Sequence, residues 1–142
     1  MSLLIINWMI IRSAKPADAF ELLLLMNEGF GWENTKLFEA SFFSNTNITC
    51  LIAENEQGEL MGTASLHLLQ KINRRLGIIE DVVVYKKYRG KMIGVKLINK
   101  LIEISKDLKC YKLILNTKKD YVAYYENFGF VKKQLQMELR KE

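Results

Sequence analysis

Residues Ile79–Gly94, IEDVVVYKKYRGKMIG, join an apolar stretch holding two acids to a basic loop and then to the start of a helical repeat. A loop that turns into a helix gathers unpaired backbone N–H groups and the positive end of the helix dipole at one point. That suits a phosphate or pyrophosphate. Arg89 and Lys91 add full charges beside it. Glu80 and Asp81 lie at the other end of the strand, where a proton could be taken from a second substrate. With an anion anchor and a candidate base on one short element, the chain reads as an enzyme that holds a phosphorylated cofactor.

Charge is distributed unevenly. Residues 1–85 hold six Lys/Arg against ten Asp/Glu, whereas residues 86–142 hold fifteen against six, so the positive potential sits on the half with the proposed anion loop. The lysines fall at helical and turn positions without a stripe of interleaved aromatics, so nucleic acid is not expected as a partner. No apolar run reaches the roughly 18 residues of a membrane span. The opening MSLLIINW lacks a basic segment and an adequate apolar stretch, so no signal peptide is expected. Cys50 and Cys110 lack metal-ligand spacing and read as reduced thiols of a cytoplasmic protein. No metal is expected.

One domain over residues 1–142 is expected, with residues 1–8 read as a tag or an upstream extension. Met9–Arg12 is the first strand, and Pro16 opens a helix that continues through Ala19–Asn27. Glu33–Phe43 reads as a second helix. Thr49–Glu54 and Leu60–Gln70 are strands joined by the turn Asn55-Glu56-Gln57-Gly58-Glu59. Ile78–Tyr85 is a central strand, Ile93–Leu108 a helix and Tyr111–Asn116 a buried strand. Asp120–Asn127 is a short helix, and Val131–Arg140 closes the chain as a strand. The class is α/β (α+β), a mixed and mostly antiparallel sheet flanked by helices in the order β-α-α-β-β-β-α-β-α-β.

With Arg89–Gly94 and Tyr125-Glu126-Asn127-Phe128-Gly129-Phe130 placed on those elements, the chain resembles the GNAT superfamily of N-acetyltransferases. The acetyl-CoA signature of that superfamily, Q/R-x-x-G-x-G/A, falls on Arg89-Gly90-Lys91-Met92-Ile93-Gly94. Met92 stands where the first motif glycine belongs. If that glycine serves φ > 0, Met92 carries strain; if only its N–H matters, Met serves.

From Gly77 to Arg140 the chain is most similar to the glucosamine 6-phosphate N-acetyltransferases. The similar segments are Ile79–Val84, Tyr88–Lys91, Cys110–Leu115, Val122–Glu126 and Gln136–Lys141. The resemblance implies acetyl-CoA as cosubstrate, a small-molecule amine as acceptor, and a homodimer in which both subunits shape the sugar site. It puts Glu80 and Asp81 at the amine end, gives Tyr125 a hydrogen bond to the departing thiolate, and gives Arg140 to the sugar phosphate. Asn116 replaces an Asp that contacts the sugar, Tyr121 replaces an Asn, and Ile78 replaces a histidine.

Acetyl transfer needs a neutral amine, so a carboxylate must accept its proton; Glu80 is the first candidate and Asp81 the second. Backbone N–H groups of Val82 and Val83, with Val84 beyond, would face the oxyanion or the pantetheine amides. Arg89, Gly90, Lys91 and the N–H groups of Met92, Ile93, Gly94, Val95 and Lys96 would hold the pyrophosphate. His67, the only histidine, reads as a sheet-surface residue. Two alternatives stand beside the sugar acceptor: another small amine or peptide amine, and a CoA-binding sensor without turnover.

Overall fold

The computed structural model describes residues 4–6 and 8–141, and most of what the reading of residues 1–8 as a tag or extension rests on lies outside them. Among the described residues, a six-stranded sheet runs in the order β1-β2-β3-β4-β5-β6. Its strands are β1 (Leu4–Ile6), β2 (Met9–Ser13), β3 (Ile48–Asn55), β4 (Leu60–Gln70), β5 (Arg75–Val84) and β6 (Lys112–Ile114). Neighbours are antiparallel except β5 and β6, which are parallel because a helix connects them.

That helix, α3 (Ile93–Asp107), buries Ile93, Leu97, Ile98 and Leu101 on one face of the sheet against Met9, Ile11, Leu51, Ala53, Met61, Ala64, Leu66 and Ile79. On the opposite face, α1 (Ala19–Phe30) packs Leu22, Leu25 and Met26 on Ile52, Leu60 and Val83. The alternation Leu51/Ile52/Ala53 serves both layers, as period-2 strands do. A single 3₁₀ turn at Pro16–Asp18 precedes α1, with Pro in its first turn, as expected.

Three expectations are corrected. Only α2 (Ala40–Ser44) of the predicted Glu33–Phe43 helix forms. Gly31 ends α1 at φ 67°, and the Asn27 side chain then bonds Asn34 through both its Nδ2 (2.8 Å to the carbonyl) and its Oδ1 (3.3 Å from the amide). The Asn34 Oδ1 in turn accepts from Lys36 N–H at 3.0 Å. These side-chain bonds compete with a helical backbone. Second, β6 is short, lies at the sheet edge and is only partly covered rather than buried. Third, residues 131–141 form no regular element, because a strand needs a neighbouring ladder and this segment has none among the described residues. A strand absent from the expected order, β1, pairs with β2.

Candidate active site

The site begins where two strands part. β6 pairs with β5 only at Leu76, Gly77 and Ile78. From Ile79 onward the β6 side of β5 has no ladder partner among the described residues, so backbone groups there can receive a ligand. On its other side β5 bulges: Val83 pairs with Thr63 and Glu80 with Ser65, leaving Asp81 and Val82 opposite Ala64 alone. Asp81 takes φ 53° at this bulge, a conformation aspartate tolerates better than most residues.

The bulge has a chemical result. Strict alternation would send Glu80 and Asp81 to opposite faces, but the bulge breaks that alternation between Glu80 and Val83. Glu80 lies above the usual carboxylate range through loss of hydration, then through the neighbouring Asp81 charge, while His67 opposes the shift. Asp81 is raised by loss of hydration, again opposed by His67. A carboxyl raised in this way is a better proton acceptor for an ammonium than a free one.

The sequence reads His67 as a surface residue of the sheet, and it is half-buried. Its Nε2 is 3.1 Å from Ser65 Oγ, and Ser65 Oγ donates to the Glu80 carbonyl at 3.1 Å. Directly across the ladder from His67 is Ile78. A lone histidine between two leucines carried no signal of the contact with Ser65; the register did.

On β3, Cys50 sits opposite Ser65, and its sulfur is 3.6 Å from Thr63 Oγ1. Burial pushes the Cys50 thiol up to about 11, so it stays protonated and is a poor nucleophile at neutral pH. No group of three or more His, Cys, Asp or Glu among the described residues is placed to hold a metal.

At the far end of β5, a 3₁₀ turn at Lys86–Tyr88 leads into the loop Arg89–Met92 and then α3. No side chain caps α3, and its first helical bond runs from Lys96 N–H to the Met92 carbonyl at 3.0 Å. The amides of Ile93, Gly94 and Val95 therefore lack helical partners, which fits an anion. Met92 adopts φ 65°, so the position does require the glycine-like conformation and Met92 is strained. Arg89 Nε donates to the Val84 carbonyl at 3.3 Å, tying the loop to the end of β5. Lys91 and Lys87 flank the Tyr88 ring, at 5.9 and 5.1 Å from its centre.

Tyr125, on α4 (Val122–Glu126), is half-buried among Tyr124, Phe128 and Phe130. Burial, then Tyr121, raises its phenol, so it remains a proton donor at neutral pH. Asn116 is exposed beyond β6. Arg140 pairs with Glu138 at 2.8 Å on the exposed 131–141 segment. Neither is joined to Glu80 or Asp81 by a contact among the described residues.

Residues 17–130 match the acetyltransferase (GNAT) family. The glucosamine 6-phosphate N-acetyltransferase of Arabidopsis thaliana is 33% identical over 102 residues, covering 70% of this chain and 68% of that protein. The enzyme of the same description from Trypanosoma brucei brucei is 39% identical over 95 residues, 65% of each chain. This chain thus spans about two thirds of the length of these curated relatives. Among solved structures, a Trypanosoma brucei acetyltransferase superposes with a TM-score of 0.82 at 30% identity, over 94% of this chain and 99% of that one.

Proposed function

Because this chain belongs to the acetyltransferase (GNAT) family and is an N-acetyltransferase, we propose that it moves acetyl from acetyl-CoA to the amine of glucosamine 6-phosphate. The observation that carries the reading is the bulge at Asp81. It sets the acid pair Glu80 and Asp81 on the strand that leads to an uncapped, basic helix start.

Glu80 takes a proton from the acceptor ammonium, with Asp81 holding the charge beside it. The freed amine adds to the thioester carbonyl, forming the C–N bond and a tetrahedral oxyanion, whose collapse breaks the C–S bond. Of the backbone N–H groups over Val82, Val83 and Val84, those turned to the unpaired edge of β5 meet the oxyanion or the pantetheine amides. Tyr125 gives its phenolic proton to the leaving thiolate and recovers one from the acylated nitrogen. One of the two protons lost by nitrogen ends on sulfur and the other passes to solvent. The amides of Ile93–Val95, with Arg89, Gly90, Lys91, Met92 and Lys96 around them, hold the pyrophosphate, while Val84 lines the path between.

The segment 131–141 supports a homodimer. Leu135, Met137 and Leu139 alternate along it at 95, 93 and 101% exposure, a strand pattern lacking its cover in one copy. Analytical ultracentrifugation should find two copies, and a Leu139→Arg variant should shift the balance to one; a monomeric wild type would reject this. A cytoplasmic location goes with the free thiols Cys50 and Cys110.

The test of the acceptor is turnover with glucosamine 6-phosphate beside glucosamine, polyamines, amino acids and peptides, with product followed by chromatography. Turnover of the phosphorylated sugar but not of glucosamine supports the reading. Turnover only of another amine rejects the sugar. Two observations favour that second reading: Arg140 is engaged by Glu138, and residue 116 is Asn where the family resemblance implies an Asp.

A further inference from the structure

Three connections meet at one end of the sheet: the turn before β2, the β3–β4 turn and the loop from β5 into α3. The register brings them together, because Met9 pairs with Asn55, Glu54 with Leu60 and Gly62 with Val84. Between them is a cavity of about 220 Å³. Trp8 lines it from the first connection, Gln57 from the second, and Tyr88 and Lys91 from the third, with Met61 at its apolar side.

The anion loop borders this cavity. Lys91 is two residues before Ile93, so their α-carbons are at most about 7 Å apart. Ile93 in turn packs on Gly62, where a β-carbon would stand 3.3 Å from Ile93 Cγ2. Met61 is the neighbour of Gly62 and shares a buried cluster with Ile93. The unpartnered amides of α3 and the cavity are therefore adjacent.

We propose that this cavity seats the adenine of the acetyl-CoA cosubstrate, with Trp8 and Gln57 as the residues that recognise it. This deepens the acetyl-transfer reading and rests on it. It assigns a place to the end of the cosubstrate remote from the thioester, one ribose beyond the pyrophosphate.

The walls suit a purine better than a further phosphate. Trp8 is 37% exposed, and an indole face stacks on any base. Tyr88 is a fixed wall, because Asn55 Nδ2 donates to its hydroxyl at 3.3 Å. Asn55 is otherwise spent on its own turn: its Oδ1 accepts from the amides of Gln57 and Glu59, and its Nδ2 also bonds Glu59. The backbone of Gln57 is thus held, while its side-chain amide has no partner among the described residues. That amide offers one acceptor and two donors from a braced turn. Such a group pairs with adenine at N6 and N7 through two hydrogen bonds. Glu56, also lining the cavity, accepts from an exocyclic amine and repels a phosphate. Lys91 belongs to both the loop and the cavity, so its charge serves the phosphates where the base-bearing ribose leaves them. Trp8 then works in the cosubstrate site rather than ending an extension.

The experiment uses the full chain and two readouts. Calorimetry compares coenzyme A with 4′-phosphopantetheine, which lacks the adenosine end, on wild type, Trp8→Ala and Gln57→Leu. Trp8→Ala should weaken coenzyme A about 5- to 150-fold, as loss of one stacked base does, and leave 4′-phosphopantetheine unchanged. Gln57→Leu should give a several-fold loss with the same selectivity. The second readout is fluorescence. Trp8 and Trp32 are the two tryptophans of the chain, so in a Trp32→Phe background the emission is that of Trp8. Adenosine 3′,5′-bisphosphate should quench it at lower concentration than guanosine 3′,5′-bisphosphate, and Gln57→Leu should erase that preference. Equal losses for both calorimetric ligands, no loss in either variant, or Trp8 emission unmoved by saturating nucleotide overturn the proposal. Quenching in a protein that acetylates no amine supports the adenine seat while removing the acetyl-transfer reading. Turnover by a protein whose Trp8 emission stays unmoved does the reverse, so the two failures are distinct.

Discussion

The Tyr124 hydroxyl lies against Gly94. A β-carbon on Gly94 would stand 2.8 Å from that oxygen, closer than side-chain carbons pack, while the ring carbon bearing the hydroxyl would be 4.0 Å away. The second motif glycine therefore lets α4 close over the first turn of α3, beside the amides assigned to the pyrophosphate. Tyr124 is wedged edge-on between Tyr125 and Phe128, with ring centres at 5.1 and 5.3 Å, so it has little freedom to step aside.

Gly94→Ala should cost about 1–3 kcal/mol of stability, as overpacking does, and weaken CoA binding. Adding Tyr124→Phe removes the clashing oxygen and should restore most of both. Thermal melts and calorimetric CoA titration of the single and double variants check this. A double variant no better than Gly94→Ala would show that the contact is not the cause.

Met92 at φ 65° predicts the opposite sign. A left-handed conformation costs a residue with a β-carbon roughly 1–2 kcal/mol, which glycine avoids. Because glycine also adds freedom to the unfolded chain, Met92→Gly should gain about 1 kcal/mol or less, with CoA affinity kept or improved. Urea unfolding measures the first and calorimetry the second.

Glu80 must be ionised to act, and its carboxyl is raised above the usual range. Activity should therefore fall as pH drops through that raised midpoint, earlier than an ordinary glutamate would dictate. Glu80→Gln should lower kcat by about 10²–10⁴-fold and abolish that limb, with CoA affinity retained. A kcat within a few fold of wild type would pass the role of base to Asp81.

Asp81 separates function from stability. Its folded carboxyl is raised, so the folded state binds a proton more tightly than the unfolded one, and stability falls as pH rises through the two midpoints. Asp81→Asn should melt at or above the wild-type temperature near pH 7, since asparagine accepts φ 53° and carries no charge. The variant should lose turnover at the same time.

Arg12 gives the reverse dependence. It donates to both Asp18 oxygens at 2.8 Å and lies 3.2 Å from Glu54, holding the Asp18 carboxyl below its usual range. Stability from Asp18 is present above the unfolded midpoint and lost as pH falls through the folded one. Asp18→Asn should cost about 1.5–3 kcal/mol near pH 7 and progressively less in acid, by chemical denaturation.

Local patterns read well in advance. The Asn55–Glu59 turn forms, with Asn55 Oδ1 accepting from the amides of Gln57 and Glu59 at 3.0 and 2.9 Å. The helical repeat from Ile93 gives α3, and the loop before it is the basic turn expected from Arg89 and Lys91. These depend on residues within a few positions of each other. Glu33–Glu39 was misread because the Asn27–Asn34 bonds span seven positions and override helical propensity.

The sequence by itself determined the basic loop before α3, the adjacent acids Glu80 and Asp81, the order of the central elements and the resemblance to acetyltransferases, because each is written in contiguous residue types and their spacing. Only the tertiary structure decided that β5 bulges at Asp81 and Val82, that Ser65 lies between His67 and the Glu80 carbonyl, and that Tyr124 closes on Gly94. Those facts depend on ladder register and close packing between segments far apart in the chain, and a one-residue slip in register, invisible in composition, would undo each of them.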